Sequence, residues 1–182
     1  SGGMEVYMKK LLIVVDYQND FVSGSLGFDQ AEELDGRIAD KITEYRNKGG
    51  EIIFTFDTHT AEYPDTQEGK NLPVVHCIDG TEGWKLCGKV ASLKRDGDRF
   101  FKKPAFGSAE LFDYLRDKEY GSIELVGIVS NICVLSNAVL AKTALPETPV
   151  IVDASCVASN DRNLNEAALN VMEGLQIRVI NR

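Results

Sequence analysis

The chain has 182 residues, 43% hydrophobic and 26% charged, with 28 acidic against 20 basic side chains and a formal net charge of −8. That length suits one domain with a core large enough to stand without disulfides or a structural metal. The acidic balance argues against a nucleic-acid partner, which clustered cations would be needed to hold, and no apolar run reaches the roughly 18 residues of a membrane span. The densest basic group is only Lys94, Arg95, Arg99, Lys102 and Lys103. Cys77, Cys87, Cys133 and Cys156 show no CxxC pairing, and no signal peptide opens the chain, so reduced thiols in a cytoplasmic protein are expected. Ser1, Gly2 and Gly3 read as a tag-cleavage scar (residues 1–3), which leaves residues 4–182 as the expected domain.

Strand-like and helix-like segments alternate. Leu11 to Val15 is a short apolar run that stops at Asp16, as expected of a strand buried on both faces of a parallel sheet. Leu34, Ile38, Ile42 and Tyr45 then mark one apolar helix face that ends at Gly49-Gly50. Glu51 to Phe56 is a second strand, again ending on an aspartate, Asp57. A long segment from Thr58 to about Lys89 carries both histidines and the only tryptophan, and loops of that length are commonly functional. A short strand is expected at 99–102, a helix capped by Ser108 through Lys118, and a third buried strand at 122–129. A helix at 132–143, a strand at 150–152, a helix at 164–173 closed by Gly174 and a last strand at 175–180 complete the chain. This order predicts an α/β fold: one three-layer α/β/α domain around a mostly parallel central sheet.

In such a sheet ligands bind beyond the carboxyl ends of the strands. Asp16, Asp57, Lys103 and Cys133 all fall at or just after such ends and should converge on one edge. A cysteine opening a helix has its thiolate favoured by the helix dipole, a nearby lysine would favour it further, and Asp16 could accept the thiol proton and return it to a leaving amine. Each residue also has a plainer reading. Cysteines are commonly buried for packing, Asp16 in DYQND could merely cap a turn, and alternation lets only one of Lys102 and Lys103 point inward without saying which. Asp57, His59, Glu68 and His76 form a second constellation. Imidazoles beside carboxylates suit a borderline divalent ion, although two ordinary surface histidines would give the same pattern. Cys77, Cys87 and Cys156 read as structural.

Three segments resemble the signatures of the isochorismatase-like cysteine hydrolases: DYQNDF (Asp16 to Phe21) with GSL (Gly24 to Leu26), KPAF (Lys103 to Phe106) and GIVSNICV (Gly127 to Val134). The resemblance implies the fold of that family, with Asp16 as general base, Lys103 as catalytic lysine and Cys133 as nucleophile. It selects Lys103 over Lys102 because Phe106 fits the aromatic three positions later. It also implies a cis peptide between Ile128 and Val129 and an oxyanion hole from the Val129 and Cys133 amides. Within the family, DTH (Asp57 to His59) with LPVVHCIDGTEG (Leu72 to Gly83) is similar to the nicotinamidases (pyrazinamidases), whose metal coordinates the pyridine nitrogen. Isochorismatases and N-carbamoylsarcosine amidases generally lack that metal triad.

The resemblance accordingly implies one divalent ion on Asp57, His59, Glu68 and His76, zinc first and manganese or iron as alternatives. Phe21 and Phe106, with Trp84 less directly, would wall the substrate ring. The implied activity is hydrolysis of nicotinamide to nicotinate and ammonia through a Cys thioester, a step of NAD salvage, by an enzyme for which a homo-oligomer is open. The chain departs from the family at PVVH, one residue longer than the common interval, at Leu72 in place of a frequent tryptophan, and at Gly107-Ser108. Those departures bear on pocket shape. The rival readings are the same triad acting on another small amide, a metal-hydroxide hydrolase with Cys133 in the core, and a non-catalytic metal-dependent binder of pyridine metabolites.

Overall fold

A computed structural model describes residues 8–182; the expected tag remnant at residues 1–3 lies outside them. In chain order the elements are β1 (Lys10–Val15), α1 (Asn19–Val22), α2 (Asp29–Asn47), β2 (Glu51–Asp57), α3 (Gln67–Asn71), α4 (Gly88–Leu93), β3 (Arg99–Lys103), α5 (Ala109–Leu115), β4 (Ser122–Ile128), α6 (Leu135–Ala144), β5 (Val150–Ala158), α7 (Arg162–Gly174) and β6 (Arg178–Ile180). The strands form one sheet in the order β3-β2-β1-β4-β5-β6, with every neighbouring pair parallel.

Alternation along β1 explains why its whole run is apolar. Leu11, Ile13 and Val15 pack on one face with residues of α5, α6 and α7, while Leu12 and Val14 pack on the other with α1, α2 and α4. The three-layer α/β/α architecture follows. α2 presents Leu34, Ile38 and Ile42 to the sheet and gives way to Gly49, whose φ of 73° few other residues adopt without strain. Ser108 caps α5 by accepting a hydrogen bond from the Leu111 amide at 3.1 Å, and Asp161 caps α7 by accepting one from the Leu164 amide at 3.0 Å.

Several elements differ from the sequence expectation: α5 stops at Leu115, short of Lys118, α1, α3 and α4 fall where no helix is expected, and three further differences have a local reason. β5 continues to Ala158 because its polar residues are satisfied inside the fold: Asp153 accepts from the Ser155 amide and hydroxyl at 2.9 and 2.6 Å and pairs with Lys41. The last strand starts only at Arg178, because Leu175 and Gln176 are spent closing α7, where the Ile177 amide donates to Met172 O at 2.9 Å. The helix expected at 132–143 is divided into a π-helical turn, Ser130–Val134, followed by α6.

After β1 the chain lays β2 and then β3 on one side, and crosses to put β4 on the other. The strand order therefore reverses between β1 and β4, and a crevice opens at their carboxyl ends. β4 approaches β1 closely there because of Gly127. Its φ is 117°, and a Cβ would stand 2.1 Å from Val15 O, so no other residue fits. No helix among the described residues is long and apolar enough to cross a membrane.

Candidate active site

Asp16 leaves the end of β1 in a left-handed conformation, φ 49°, and lies fully buried beside the β2 residue Thr55. The Thr55 hydroxyl donates to Asp16 Oδ1 at 2.7 Å, and Asp16 Oδ2 lies 2.6 Å from Lys103 Nζ. Lys103, the last residue of β3, is 1% exposed, whereas Lys102 points outward to Asp79 at 3.0 Å. The choice that strand alternation left open is thus settled by the geometry. Lys103 Nζ also lies 3.3 Å from Cys133 Sγ, donates to Ala105 O at 3.1 Å, and stands 3.6 Å from Asp57 Oδ1. One ammonium therefore links the three residues that the sequence placed at separate strand ends.

The electrostatics correct one expectation. Burial, and then the Asp16 charge, push the Cys133 thiol well above its usual range, and Lys103 only partly opposes them. Cys133 also sits within the π-helical turn, not at a helix N-cap. It rests as a thiol instead of a standing thiolate. Burial likewise raises Asp16, against the pull of Lys103. Lys103 is held above its ordinary value: burial would lower it, but the Asp16 carboxylate, and then Asp57, outweigh that effect. The arrangement is a thiol beside a carboxylate of enhanced basicity, with a buried cation in contact with both.

The second constellation stands next to the first. Asp57 Oδ2 is 2.9 Å from His59 Nε2 and 3.2 Å from His76 Nε2. His76 Nδ1 is 2.7 Å from Val74 O, which fixes that nitrogen as the donor and leaves Nε2 to face the carboxylate. The donor atoms of Asp57, His59 and His76 all lie within 4.8 Å of one another, and all three residues are buried. Burial would raise the Asp57 carboxyl, but the two histidines and Lys103 hold it well below the usual range. Two imidazole nitrogens and a carboxylate oxygen so placed could hold a divalent ion. Glu68, the expected fourth ligand, stands beside this group, 3.4 Å from His59 Nε2 and 3.9 Å from His76 Nε2. It sits on α3, which reaches inward because Gly69 lets the helix touch Tyr63; a Cβ there would lie 1.9 Å from Tyr63 O. Tyr63 in turn packs against both histidine rings, at 4.7 and 5.0 Å.

The two groups open into one cavity of about 210 Å³. Asp57, Glu68 and His76 line it together with Val129 and Cys133. Phe21 and Phe106 form part of its apolar wall, Phe21 with its ring 5.4 Å from that of His76. Trp84 does not line this cavity. It stacks on Phe56 at 4.6 Å and donates its indole N–H to Thr58 Oγ1 at 2.9 Å, so it braces the start of the His59 loop from behind. The peptide between Ile128 and Val129 is cis.

Several residues were missed in the sequence. Phe28, Ile132 and Asn160 line the cavity with no pattern to mark them, beside Leu26 of the GSL segment and Leu72, whose departure from the family already bears on pocket shape. Asn137, fully buried, donates to Cys133 O at 2.8 Å and Phe106 O at 3.1 Å and accepts from the Ser108 amide at 2.9 Å, tying the Cys133 turn to the Phe106 loop. Thr55 carried the one usable signal, a polar residue inside an otherwise apolar strand.

Residues 10–182 match the isochorismatase domain. This chain belongs to the isochorismatase family. It is 36% identical over 177 residues to the uncharacterized isochorismatase family protein YaaI of Bacillus subtilis (strain 168), covering 91% of this chain and 90% of that one. The crystal structure of pyrazinamidase/nicotinamidase from Streptococcus mutans UA159 superposes with a TM-score of 0.84 at 29% identity, over 94% of this chain and 100% of that chain. N-carbamoylsarcosine amidase from Thermoplasma acidophilum superposes with a TM-score of 0.79 at 26% identity, over 94% and 95% of the two chains. The protein is therefore an isochorismatase-family hydrolase with a buried Asp/His group that could hold a metal.

Proposed function

We propose that the protein is a metal-assisted nicotinamidase, converting nicotinamide and water to nicotinate and ammonia. One observation carries the reading: the Asp57–His59–His76 donor group and the Cys133 thiol open into the same small cavity. At about 210 Å³ that cavity is smaller than the roughly 300–1,000 Å³ typical of drug-sized ligands, which suits a single aromatic ring. The similarity to a pyrazinamidase/nicotinamidase supports the same choice.

In this reading Phe21 and Phe106 flank the ring and the carboxamide faces Cys133. Asp16 takes the thiol proton as Sγ attacks the carboxamide carbon, so no buried thiolate need persist before substrate arrives. The amides of Val129 and Cys133 receive the developing oxyanion. Lys103 holds Asp16 and Cys133 in register and offsets the negative charge that moves between them. When the C–N bond breaks, Asp16 delivers its proton to the departing nitrogen, which leaves as ammonia. Water then attacks the thioester, Asp16 accepts its proton, and the released Sγ recovers it. Asp57, His59 and His76, with Glu68 beside them, would hold a divalent ion, zinc by preference; such an ion supplies Lewis-acid attraction for a pyridine nitrogen and so orients the ring.

The test is ammonia release from nicotinamide, with and without a chelator. Release that is lost on chelation and restored by zinc, manganese or iron is expected. Release from carbamoyl amides but not from nicotinamide would move the assignment to another small amide. No release from any amide, with nicotinamide still bound, would favour the non-catalytic binder.

A further inference from the structure

β1 ends at Val15, and Asp16 turns the chain out of the sheet. β2 runs on to Asp57, and its pairing with β1 stops at Val15 opposite Thr55. The main chain of Asp57 therefore has β3 beside it on one edge but no β1 residue on the other. The Gln18 side chain occupies the missing place. Its Oε1 accepts from the Asp57 amide at 2.8 Å and its Nε2 donates to Asp57 O at 2.9 Å, as a neighbouring strand would. The second Nε2 hydrogen goes to Trp84 O at 2.8 Å. Gln18 is fully buried, and its neutral amide offers acceptor and donors side by side.

We infer that Gln18 is a positioning residue for the metal group, fixing the backbone of Asp57 so that its carboxylate stands between His59 and His76. The inference rests on the reading of those three residues as metal ligands, and extends it to a side chain that would touch neither ion nor substrate. It also links the two halves of the site, because Asp57 Oδ1 faces Lys103 while Oδ2 faces the histidines. Partners of this kind, one step behind the ligands, typically govern metal affinity by about 10–100-fold.

The experiment measures zinc affinity of the full chain by competition with a chromophoric chelator, for wild type, Gln18→Met and Gln18→Glu, with thermal melts alongside. Met keeps the length of the side chain and removes the amide. The zinc dissociation constant should rise about 10–100-fold in folded Gln18→Met. Glu keeps an acceptor for the Asp57 amide, loses the donor and adds a negative charge, which alone would tighten a cation; weaker zinc binding is expected even so. A variant that melts earlier yet holds zinc as tightly as wild type shows a merely structural role and overturns the inference. So does a failure of both variants to fold. A wild-type chain that takes up no zinc would instead remove the metal reading itself, which keeps the two failures distinct.

Discussion

Lys103→Met removes the cation on which the candidate catalytic residues converge. In the wild type Nζ lies 2.6 Å from Asp16, 3.3 Å from Cys133 and 3.6 Å from Asp57, and the residue is 1% exposed. Met fills much of the same volume, so the dominant loss is electrostatic: a fully buried carboxylate without its partner. Breaking a buried pair in this way costs about 3–5 kcal/mol, or roughly 6–20 °C in Tm for a chain of this size. The loss should depend on pH. Burial already raises the Asp16 carboxyl against the pull of Lys103, and without the cation it rises further. A carboxyl whose folded pKa exceeds its unfolded value contributes stability at low pH and loses it as pH rises through the folded pKa. The deficit should therefore be widest at neutral and alkaline pH and narrow as pH falls toward the unfolded carboxyl range near ~4. Lys103 also lowers the Cys133 thiol, so the variant's cysteine should be alkylated more slowly at a given pH. Thermal melts from pH 5 to 9, with peptide mapping after brief iodoacetamide treatment, read both effects. A variant as stable as wild type across that range, with Cys133 labelled at the same rate, would refute the reasoning.

Two further outcomes follow from the same geometry. Cys133→Ala should reduce ammonia release by roughly 10⁴-fold or more while zinc content and nicotinamide binding persist, since the thiol is not among the donors of the metal group; substantial turnover by the folded variant would favour a metal-hydroxide hydrolase. Phe106→Ala should raise KM for nicotinamide by about 3–10-fold through loss of a ring contact, whereas Trp84→Phe, which keeps the stack on Phe56 and loses only the bond to Thr58 behind the cavity, should raise it less; the reverse order would reassign the pocket wall.

Much of this site was legible in the sequence because a parallel sheet buries both faces of its strands. LLIVV, EIIFTF and SIELVGI could be read as strands from apolar runs alone, and the rule that ligands sit at strand ends gathered Asp16, Asp57, Lys103 and Cys133. Contacts made by side chains to distant backbone left no such trace. Gln18 in DYQND looks like one more turn former, yet it completes the edge of β2. Trp84 looks like a pocket wall, yet its ring is turned onto Phe56. Asp153 and Ser155 break the apolar pattern of β5 yet are satisfied inside the fold, Asp153 by Lys41 from α2 and Ser155 by Asp153 itself. The state of Cys133 is hidden from the sequence for a related reason: a helix start and a lysine favour a thiolate, but burial and Asp16 outweigh them, and burial is a property of the fold.

In the proposed reaction the Asp57–His59–His76 group serves substrate binding by holding an ion against a ring nitrogen. Benzamide carries the carboxamide of nicotinamide on a ring without that nitrogen, so comparing the two amides on wild type and His59→Ala isolates the single contact. Wild type should process nicotinamide far better than benzamide. His59→Ala should raise KM for nicotinamide by at least about 10-fold and change benzamide little, because the deleted contact is one benzamide never makes. Equal processing of the two amides by wild type, or an equal loss for both in His59→Ala, would contradict the account.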